Sequence, residues 1–355
     1  MPLERPMARI IVLGGGRQGR IIANDLAGDH DVTVADVAAV NLPGVHSMQR
    51  DLSRPLELVG TLHEYDVVVG ALPARLGFPA AQAAVKAKRH YVDLSYYIED
   101  ATQLHGAAQA AGVAVVPDCG LAPGLSNLIA GRALTTRKPK EIHIQVGGFA
   151  ADPKKPYGYV ITWSPEDLLD EYLRPARIIR DGKVVEVPAL SGLEIIKIPG
   201  LGDVESFFTD GLRTLLSEAT PPVGVPRIRN MTEKTMRWPG HVAAVKPLIA
   251  NGTLLKELTE KCREGADLVV FRVQVDDDVV TMVERARDGM SAMARTTALT
   301  CAAFARWVAA GKMQFAGVVP PENLATDHAA YQFILDTLRG RGIAFDPPYP
   351  FLRPQ

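Results

Sequence analysis

The amino-acid sequence predicts an α/β protein in which a parallel-sheet domain carries an inserted α+β domain. Over residues 9–118, short apolar runs alternate with helical segments. Glycines 14, 16 and 19 follow the first run and open the first helix. After Pro123 the pattern changes to alternating, β-rich segments set among turns. A length of 355 residues is also more usual for two domains than for one.

Five apolar runs predict the parallel strands, because continuous Val, Ile and Leu are typical of strands buried on both faces. They span residues 9–13, 32–36, 66–72, 90–94 and 113–118. Helices are predicted between them, over residues 80–88 and 101–111. Repeated βαβ units of this kind form a Rossmann-type sheet with right-handed crossovers.

The rest of the chain predicts a largely antiparallel sheet followed by helices. Segments such as "YGYVITW" and "ARIIRDGKVVEV" are β-rich, and residues 267–287 form two strands joined at a solvated turn over 276–278. Helices over 289–310 and about 326–340 are expected to return to the first domain, before a loosely held tail over 346–355. The expected domains are therefore 1–122, 123–288 and 289–355.

Composition narrows the functional classes. The formal net charge of -1 gives no electrostatic reason to expect nucleic acid or an anionic membrane as a partner. The three cysteines are far apart with no CxxC, and the eight histidines show no ligand spacing beside carboxylates, so neither disulfides nor a metal is expected. Without a signal peptide or an apolar run of about 18 residues, we expect a cytoplasmic protein.

The glycine turn predicts a dinucleotide site. In the strand, turn, helix context, Gly14 permits the tight turn, Gly16 admits a pyrophosphate close to the backbone, and Gly19 lets the helix and strand pack. Asp36 ends the second strand, where its carboxylate can accept both hydroxyls of an adenosine ribose. Because a 2′-phosphate would meet this negative charge, the sequence favours NAD over NADP. Arg17 would oppose that prediction if its side chain reaches a phosphate. The alternative is that the side chain extends into solvent.

Several motifs together resemble the saccharopine dehydrogenase superfamily, and within it the lysine 6-dehydrogenase group. The motif at residues 116–134, "VPDCGLAPGLSNLIAGRAL", carries the resemblance first. It is joined, in the same order as in that group, by "GALPARLGF", "YVDLSY", "ITWSPEDLLDEYLRPARIIRDGKV", "FFTDGLRTLL" and "TMRWPGH". The resemblance covers residues 8 to about 340. It implies a Rossmann domain, an inserted domain for substrate contacts and dimerisation, and returning C-terminal helices.

The resemblance also implies which residues bind the cofactor and the substrate. It places NAD on Gly14, Gly16, Arg17, Gln18, Asp36, Ala71 and Leu72, with Asp51 near the adenosine and Asp93 and Ser95 toward the nicotinamide. It places Asp118, Arg237 and His241 on the substrate side. The chain departs from the family pattern at Cys119 and Leu121, and at Arg17, where relatives often have a small polar residue or Asn.

Oxidation of an amine requires a neutral nitrogen, so a nearby group must accept its proton. Asp118, at a strand end, is the first candidate, with a turn-capping role as the alternative. His241 is the second, with a helix-terminal or core position as the alternative. Arg237 can bind a substrate carboxylate bidentately, or form a surface ion pair instead. Tyr96, with Tyr97 and Trp163, is a candidate wall of the site.

These residues predict an NAD-dependent enzyme that oxidises an amine-bearing carbon of an amino acid, first of all the ε-carbon of L-lysine, to a semialdehyde that cyclises to a piperideine carboxylate. In this interpretation the substrate bridges Asp118 and Arg237. The alternative within enzymes is a saccharopine- or carboxynorspermidine-type reductase that forms a secondary amine from an imine. The non-enzyme alternative is an NAD-binding sensor or scaffold. The family implies a homodimer joined through the inserted domain, in which partner strands protect the sheet edges.

Overall fold

A computed structural model describes residues 7–216, 228–263, 265–348 and 350–351. Within these residues the chain divides into two compact units. The first unit contains residues 7–131 and 295–342, and the second contains the described residues of 132–294 and 343–351. Each unit is built around its own sheet. The chain leaves the first unit, forms most of the second, returns to the first, and its last described residues belong to the second again.

The strands, in chain order, are β1 (Arg9–Leu13), β2 (Asp31–Asp36), β3 (Val45–Gln49), β4 (Val67–Gly70), β5 (His90–Asp93), β6 (Ala114–Val116), β7 (Glu141–Ala150), β8 (Ala176–Arg180), β9 (Lys183–Val187), β10 (Glu194–Ile198), β11 (Gly202–Phe208), β12 (Asn230–Arg237), β13 (Asp267–Val275), β14 (Asp278–Arg285) and β15 (Gly317–Val318). The α-helices are α1 (Arg17–Leu26), α2 (Val59–Leu62), α3 (Ala74–Lys86), α4 (His105–Ala111), α5 (Leu125–Arg137), α6 (Pro165–Leu173), α7 (His241–Ala250), α8 (Leu254–Lys261), α9 (Ala292–Ala309), α10 (Pro321–Leu324) and α11 (His328–Gly340). Short 3₁₀ turns span Pro55–Leu58, Ala101–Leu104, Pro156–Gly158 and Arg213–Leu216.

The first unit contains a parallel sheet with the strand order β15-β6-β5-β4-β1-β2-β3. The central strand β1 pairs in register with β2 and β4, so that Ile11 lies between Thr33 and Val68. Residues Ile10 to Leu13 are at most 1% exposed, as expected for a strand covered on both faces. This order confirms the predicted Rossmann-type sheet and brings the carboxyl ends of β1, β2, β4, β5 and β6 to one edge.

Strand β3 and helix α3 are among the elements of this unit that differ from the prediction. Strand β3 was not predicted, because "VHSMQ" is an exposed or half-exposed edge segment rather than an apolar run. Helix α3 begins at Ala74 rather than residue 80 and contains Pro79 within its span. Its alanines at 80, 81, 83 and 84 are fully buried, and these small side chains let the helix lie close to the sheet.

The second unit contains a mixed sheet with the order β10-β11-β12-β7-β13-β14, and the β8–β9 hairpin attaches through β8 to β12. Its pairings are antiparallel except for β7 with β12, which is parallel. The hairpin of β13 and β14 confirms the two strands predicted there. Its turn residue Asp276 is less free than a solvated tip would be, because its Oδ1 accepts hydrogen bonds from the amides of Lys140 and Glu141.

The prediction of a loosely held tail is wrong for the described part of residues 346–351. Asp346 and Thr281 exchange backbone hydrogen bonds of 2.8 Å. Phe351 is 5% exposed and its carbonyl accepts a hydrogen bond from Arg132. The Pro-rich sequence hid this attachment, since no apolar run or periodicity marks it. Residues 349 and 352–355 lie outside the described residues.

The returning helices are tied to α1 within the first unit. The guanidinium of Arg306 on α9 donates to the carboxylates of Asp25 and Asp29, and Arg341 donates to Asp25 Oδ1 at 2.6 Å. Arg306 is only 6% exposed, and hydrogen-bonded ion pairs with both acids satisfy its buried charge. The helix that opens at the glycine turn is therefore held near its other end by Arg306 and Arg341 of the returning segment.

Candidate functional site

The glycine turn joins β1 to α1 through close backbone contacts. Gly14 has a φ of +104°, and its amide donates to the carbonyl of Ala35 at 2.9 Å. A Cβ on Gly14 would lie 2.3 Å from the carbonyl oxygen of Ala71, and one on Gly19 would lie 1.9 Å from the Gly14 carbonyl oxygen. A Cβ on Gly16 would meet nothing within 4 Å. Gly14 and Gly19 are therefore required by packing, whereas Gly16 leaves open space beside the backbone.

Asp36 lies at the end of β2 and is fixed by the same turn. Its Oδ2 accepts a hydrogen bond of 2.6 Å from the amide of Gly15, and its Oδ1 accepts one of 3.0 Å from the amide of Ala38. Each carboxylate oxygen keeps further lone pairs for another donor. The half-buried carboxylate therefore faces the edge of the sheet in a set orientation.

The other predicted cofactor residues differ in their surroundings. Gln18 is partly buried, and its Oε1 has no hydrogen-bond partner among the described residues. Arg17 is exposed at the start of α1. Asp51 is exposed, and hydrogen bonds from Ser53 hold the pKa of its carboxyl below the usual value. Ala71 is half-buried and Leu72 is buried, directly after β4.

This arrangement fits a dinucleotide. The ten-residue helix α1 presents its first amides at the turn, and Gly16 leaves room for a phosphate to approach them. The partnerless amide oxygen of Gln18 and the oriented carboxylate of Asp36 supply acceptors for a ligand's donors. These observations favour a dinucleotide at this edge over a purely structural glycine turn.

Asp93 forms a buried polar cluster at the end of β5. Its Oδ1 accepts hydrogen bonds of 2.7 Å from Tyr91 Oη and Ser95 Oγ, and its Oδ2 accepts one of 2.8 Å from the Ser95 amide. Burial raises the pKa of the Asp93 carboxyl to about 7, although these hydrogen bonds oppose the shift. A Cβ on Gly70 would lie 2.1 Å from Tyr91 Oη, so this glycine makes room for the cluster.

Asp118 follows β6, the strand next to β5. It is 4% exposed and has a φ of +54°, an uncommon conformation for a residue with a side chain. The next amide, that of Cys119, donates to the Asp93 carbonyl at 2.6 Å. The charge of Asp118 is a further, smaller cause of the raised pKa of Asp93. Tyr96 is half-buried and also has a positive φ, of +56°.

In the second unit, Arg237 and His241 meet at one tyrosine. Arg237 Nε donates to Tyr172 Oη at 2.9 Å, and Tyr172 Oη lies 3.0 Å from His241 Nε2. The guanidinium lies over the rings of Tyr159 and Tyr172, at 5.1 and 5.8 Å from their centroids. Arg237 is only 3% exposed, which is not the environment of a surface ion pair.

The hydrogen bonds of His241 assign its protons. His241 Nδ1 lies 2.7 Å from the carbonyl oxygen of Tyr157, which can only accept, so Nδ1 carries the hydrogen. Burial, with the charge of Arg237, lowers the pKa of the imidazole to about 3. The ring is neutral at physiological pH, and Nε2 accepts from the hydroxyl of Tyr172. Because both nitrogens are engaged, this geometry favours the alternative interpretation of His241 as a buried residue at the start of a helix.

Two glutamates, the half-buried Glu171 and the buried Glu233, lie beside this group and are joined by threonines. Thr235 Oγ1 donates to Glu171 Oε1 at 2.6 Å and lies 2.9 Å from Thr209 Oγ1. Thr209 Oγ1 in turn lies 2.7 Å from Glu233 Oε2. Burial raises the pKa of both carboxyl groups. Strand β12 contributes Glu233, Thr235 and Arg237 at alternate positions, so their side chains lie on one face of the sheet.

The sequence analysis did not single out Glu171, Tyr172 or Thr235. Glu171 and Tyr172 lie three and four residues after the buried Leu168, so both belong to the inward face of α6. A carboxylate on an otherwise apolar helix face was the signal that could have identified this site. Asp118 lies in the first unit and Arg237 and His241 in the second. That one substrate bridges Asp118 and Arg237 stays a prediction.

No group of three or more His, Cys, Asp or Glu side chains suited to a metal occurs within the described ranges. Among the same residues, no helix is long and apolar enough to cross a membrane. The three cysteines are buried as free thiols.

The strand order, the glycine turn and Asp36 define a Rossmann-type dinucleotide-binding unit. Two family models match the chain: the saccharopine dehydrogenase NADP binding domain over residues 10–116, and the saccharopine dehydrogenase C-terminal domain over residues 120–343. The chain belongs to the saccharopine dehydrogenase family, which confirms the resemblance carried by its motifs.

Curated relatives with similar sequences have names from the same family, at low sequence identity. The alpha-aminoadipic semialdehyde synthase of Arabidopsis thaliana is 27% identical over 161 residues, which are 43% of this chain and 14% of that protein. Saccharopine dehydrogenase (NADP(+), L-glutamate-forming) of Saccharomyces cerevisiae is 24% identical over 270 residues, which are 71% of this chain and 59% of that protein. The chain thus spans less than two thirds of the length of these relatives.

Solved structures show the same fold. Apo histidine-tagged saccharopine dehydrogenase (L-Glu forming) from Saccharomyces cerevisiae has a TM-score of 0.75 at 18% identity, covering 95% of this chain and 98% of its own. The homospermidine synthase of Legionella pneumophila in complex with NAD has a TM-score of 0.64 at 15% identity, covering 97% and 90%. At these identities the likeness concerns the architecture.

Proposed function

We propose that the protein is an oxidoreductase that uses a nicotinamide dinucleotide to oxidise an amine-bearing carbon of an amino acid. The observation that carries this proposal is the glycine turn with Gly16 open beside the N-terminus of α1 and Asp36 fixed next to it. Membership of the saccharopine dehydrogenase family supports the amine chemistry.

We propose NAD rather than NADP as the cofactor. Asp36 is oriented by two amides, and the residues that follow it, Val37 to Ala39, are exposed and uncharged. A 2′-phosphate would therefore meet a carboxylate without a basic side chain at these positions. The matching family model is described as NADP binding, and the name of the yeast relative specifies NADP(+). If the proposal is correct, this chain differs from them in its cofactor.

A bound nicotinamide would accept the hydride, and the protein's own residues would handle the proton and the substrate's position. Asp118 is the residue proposed to hold the reacting amine and take its proton. Arg237 is proposed to bind the substrate carboxylate. Its Nε and Nη1 are engaged by Tyr172 and the Met236 carbonyl, whereas Nη2 makes no hydrogen bond within the described residues. Nη2 is therefore the atom assigned to a carboxylate oxygen.

We propose L-lysine as the substrate, oxidised at its ε-carbon. The support is the resemblance to the lysine 6-dehydrogenase group, together with relatives whose names concern saccharopine and aminoadipic semialdehyde. Purified protein should reduce NAD when supplied with L-lysine. Parallel assays with L-ornithine, 1,5-diaminopentane and 6-aminohexanoic acid would measure how chain length and each head group contribute. Failure of every amine to reduce either NAD or NADP would contradict the proposal.

A saccharopine- or carboxynorspermidine-type reductase remains the alternative enzyme, and an NAD-binding sensor or scaffold the non-enzyme alternative. The reductase would oxidise its reduced dinucleotide only when both an amine and a carbonyl compound are present. A sensor would bind the dinucleotide without turnover of any amine. The same assay, run in both directions with and without a carbonyl partner, separates these functions.

A further inference from the structure

Helix α6 and strand β12 place a carboxyl group beside a guanidinium in the second unit. Glu171 and Tyr172 are consecutive on α6, and they contact Thr235 and Arg237, which lie two residues apart on β12. The Glu171 carboxyl is anchored through Oε1 to Thr235, while Arg237 is anchored through Nε to Tyr172. The two charged side chains therefore lie next to each other without forming an ion pair among the described residues.

Each member of this pair keeps one atom available for a ligand. Glu171 Oε2 and Arg237 Nη2 make no hydrogen bond within the part of the chain that the structure describes. Neither atom is among the described side-chain atoms that are fully buried without a hydrogen-bond partner. Asp210, another acid of this unit, is already paired, because Arg177 donates to both of its carboxylate oxygens at 3.0 and 2.8 Å. One acceptor and one donor of opposite charge thus remain side by side.

A count of protons indicates which glutamate is charged. The series from Glu171 through Thr235 and Thr209 to Glu233 contains three contacts of 2.6, 2.9 and 2.7 Å. Two hydroxyl protons can fill only two of them, so a carboxyl proton must supply the third. Burial raises the pKa of Glu233 well above its usual value, whereas for Glu171, whose pKa burial also raises, the charge of Arg237 is the largest cause that opposes the rise. Glu233 therefore keeps the proton, and Glu171 is the ionised end that accepts from Thr235.

We propose that Glu171 and Arg237 together form the head-group site for an α-amino acid, in which Arg237 binds the α-carboxylate and Glu171 binds the α-ammonium. This inference rests on the proposed function, because it extends the carboxylate role of Arg237 to a whole zwitterion. The rings of Tyr159 and Tyr172 lie against the guanidinium and limit its hydration, which strengthens charge-assisted hydrogen bonds. Diamines and plain carboxylic acids each leave one of the two groups unpaired.

The test uses ligands that cannot react at a side-chain amine. L-Norleucine has both head groups, and hexanoic acid lacks the α-ammonium. Binding of each to the full-length protein would be measured by calorimetry with saturating NAD, and again with NADP. Wild type should bind L-norleucine about tenfold or more tightly than hexanoic acid, since a charge-assisted hydrogen bond is lost. Equal affinities, or no measurable binding of L-norleucine, would overturn the proposal.

The matched variants are Glu171→Gln and Glu166→Gln. Gln at 171 keeps the acceptor for Thr235 but removes the charge, so L-norleucine should bind about tenfold more weakly while hexanoic acid is unaffected. Glu166 is exposed on the same helix, and its variant should behave as wild type. An equal loss for both ligands in Glu171→Gln would show a structural role and overturn the proposal, as would no loss.

Failure of the proposed function gives a different result. If the protein reduces no dinucleotide with any amine but still separates L-norleucine from hexanoic acid through Glu171, the head-group site stands and the oxidation does not. If it oxidises amines while Glu171→Gln leaves this discrimination intact, the oxidation stands and the head-group site is overturned. The comparison of ligands in wild type needs no variant, so a poorly folded Glu171→Gln protein does not prevent a decision.

Discussion

Asp93 has a fully buried carboxyl group. Its titration should therefore make the free energy of unfolding depend on pH. Burial raises its folded-state pKa to about 7, well above the unfolded value of 3.8. Between these values the folded state binds more protons than the unfolded state, so stability is highest below about pH 4 for this group and falls as the pH rises toward 7.

Asp93→Asn should remove this dependence. The Asn amide can donate to the hydroxyls of Tyr91 and Ser95, which can rotate to accept. Chemical unfolding would measure the free energy of unfolding at pH 5 and at pH 8. Because of this group, the wild type should be less stable at pH 8 by on the order of a few kcal/mol. The variant should show a smaller difference between the two pH values. An unchanged difference between the two pH values would mean that Asp93 is not the titrating group.

Asp36 should control cofactor choice. Wild type should have a kcat/KM for NAD at least about tenfold above that for NADP, because the 2′-phosphate would lie against a carboxylate. Asp36→Ser should narrow this ratio by removing the repulsion. Steady-state kinetics with both dinucleotides measure the effect. Equal or reversed preference in wild type would place control with Arg17 or another basic side chain.

Asp118 and Arg237 should differ in the kind of defect that their variants show. Asp118→Asn keeps the shape but removes the charge that holds the amine, so kcat should fall by roughly 10², the usual scale for a lost general base. Arg237→Met should mainly raise KM, because it removes binding of a remote group. Dinucleotide binding should survive in both variants. Turnover of Asp118→Asn within a few-fold of wild type would contradict its role.

Sequence analysis located candidate site residues best where they lie at the carboxyl end of a parallel strand. Asp36, Asp93 and Asp118 were singled out from strand ends or motifs, and in the structure Asp36 and Asp93 end their strands while Asp118 follows β6. Their roles stay predictions. Glu171 was missed because its importance comes from Thr235, which is 64 positions away in the chain. No local pattern encodes a contact of that range.

At the level of elements, two glycines of the same turn should have different roles: Gly19 is needed for packing, and Gly16 is needed for binding of the dinucleotide. Gly19→Ala would push a Cβ into the Gly14 carbonyl, so it should lower stability by about 1–3 kcal/mol. Gly16 has a φ of −72°, which alanine adopts readily, and a Cβ there meets no protein atom within 4 Å. Gly16→Ala should therefore fold normally but bind the dinucleotide more weakly.

Thermal unfolding and dinucleotide titration of the two alanine variants would measure these effects. A Gly16→Ala protein with wild-type affinity would show that the ligand does not use the open space. A Gly19→Ala protein with wild-type stability would show that the β1–α1 junction can shift to accept the extra methyl group.

The parallel sheet was predictable from sequence because strands covered on both faces are continuous apolar runs. The edge strand β3 was not, since one covered face leaves a polar pattern that resembles a loop. In the second unit, alternation identified strands but not their partners, so the parallel pairing of β7 with β12 could not be predicted. Periodicity reports which face is buried, whereas strand direction depends on the connections between strands.

At the level of the whole molecule, we expect a homodimer joined through the second unit. The outer strands of its sheet path are β10 and β14, and they carry exposed apolar side chains: Ile195 is 58% exposed and Val283 is 39% exposed. Exposed apolar edge strands are typical sites of pairing with another chain. Light scattering should give a dimer at micromolar concentration, and Ile195→Lys should shift it toward monomer if β10 is the joining edge. A monomeric wild type would rule the dimer out.

The return of the chain to the first unit affects how the protein can be made. A ribosome releases residues 7–131 well before residues 295–342, which belong to the same unit. Until the later segment emerges, β6 lacks its neighbour β15, and Asp25 on α1 lacks both Arg306 and Arg341. The first unit is therefore completed only after residues 132–294 of the second unit have left the ribosome, and residues 343–351 then complete the second unit. A nascent chain stalled before residue 295 would hold the glycine turn on a helix whose half-buried Asp25 has not yet met Arg306 and Arg341.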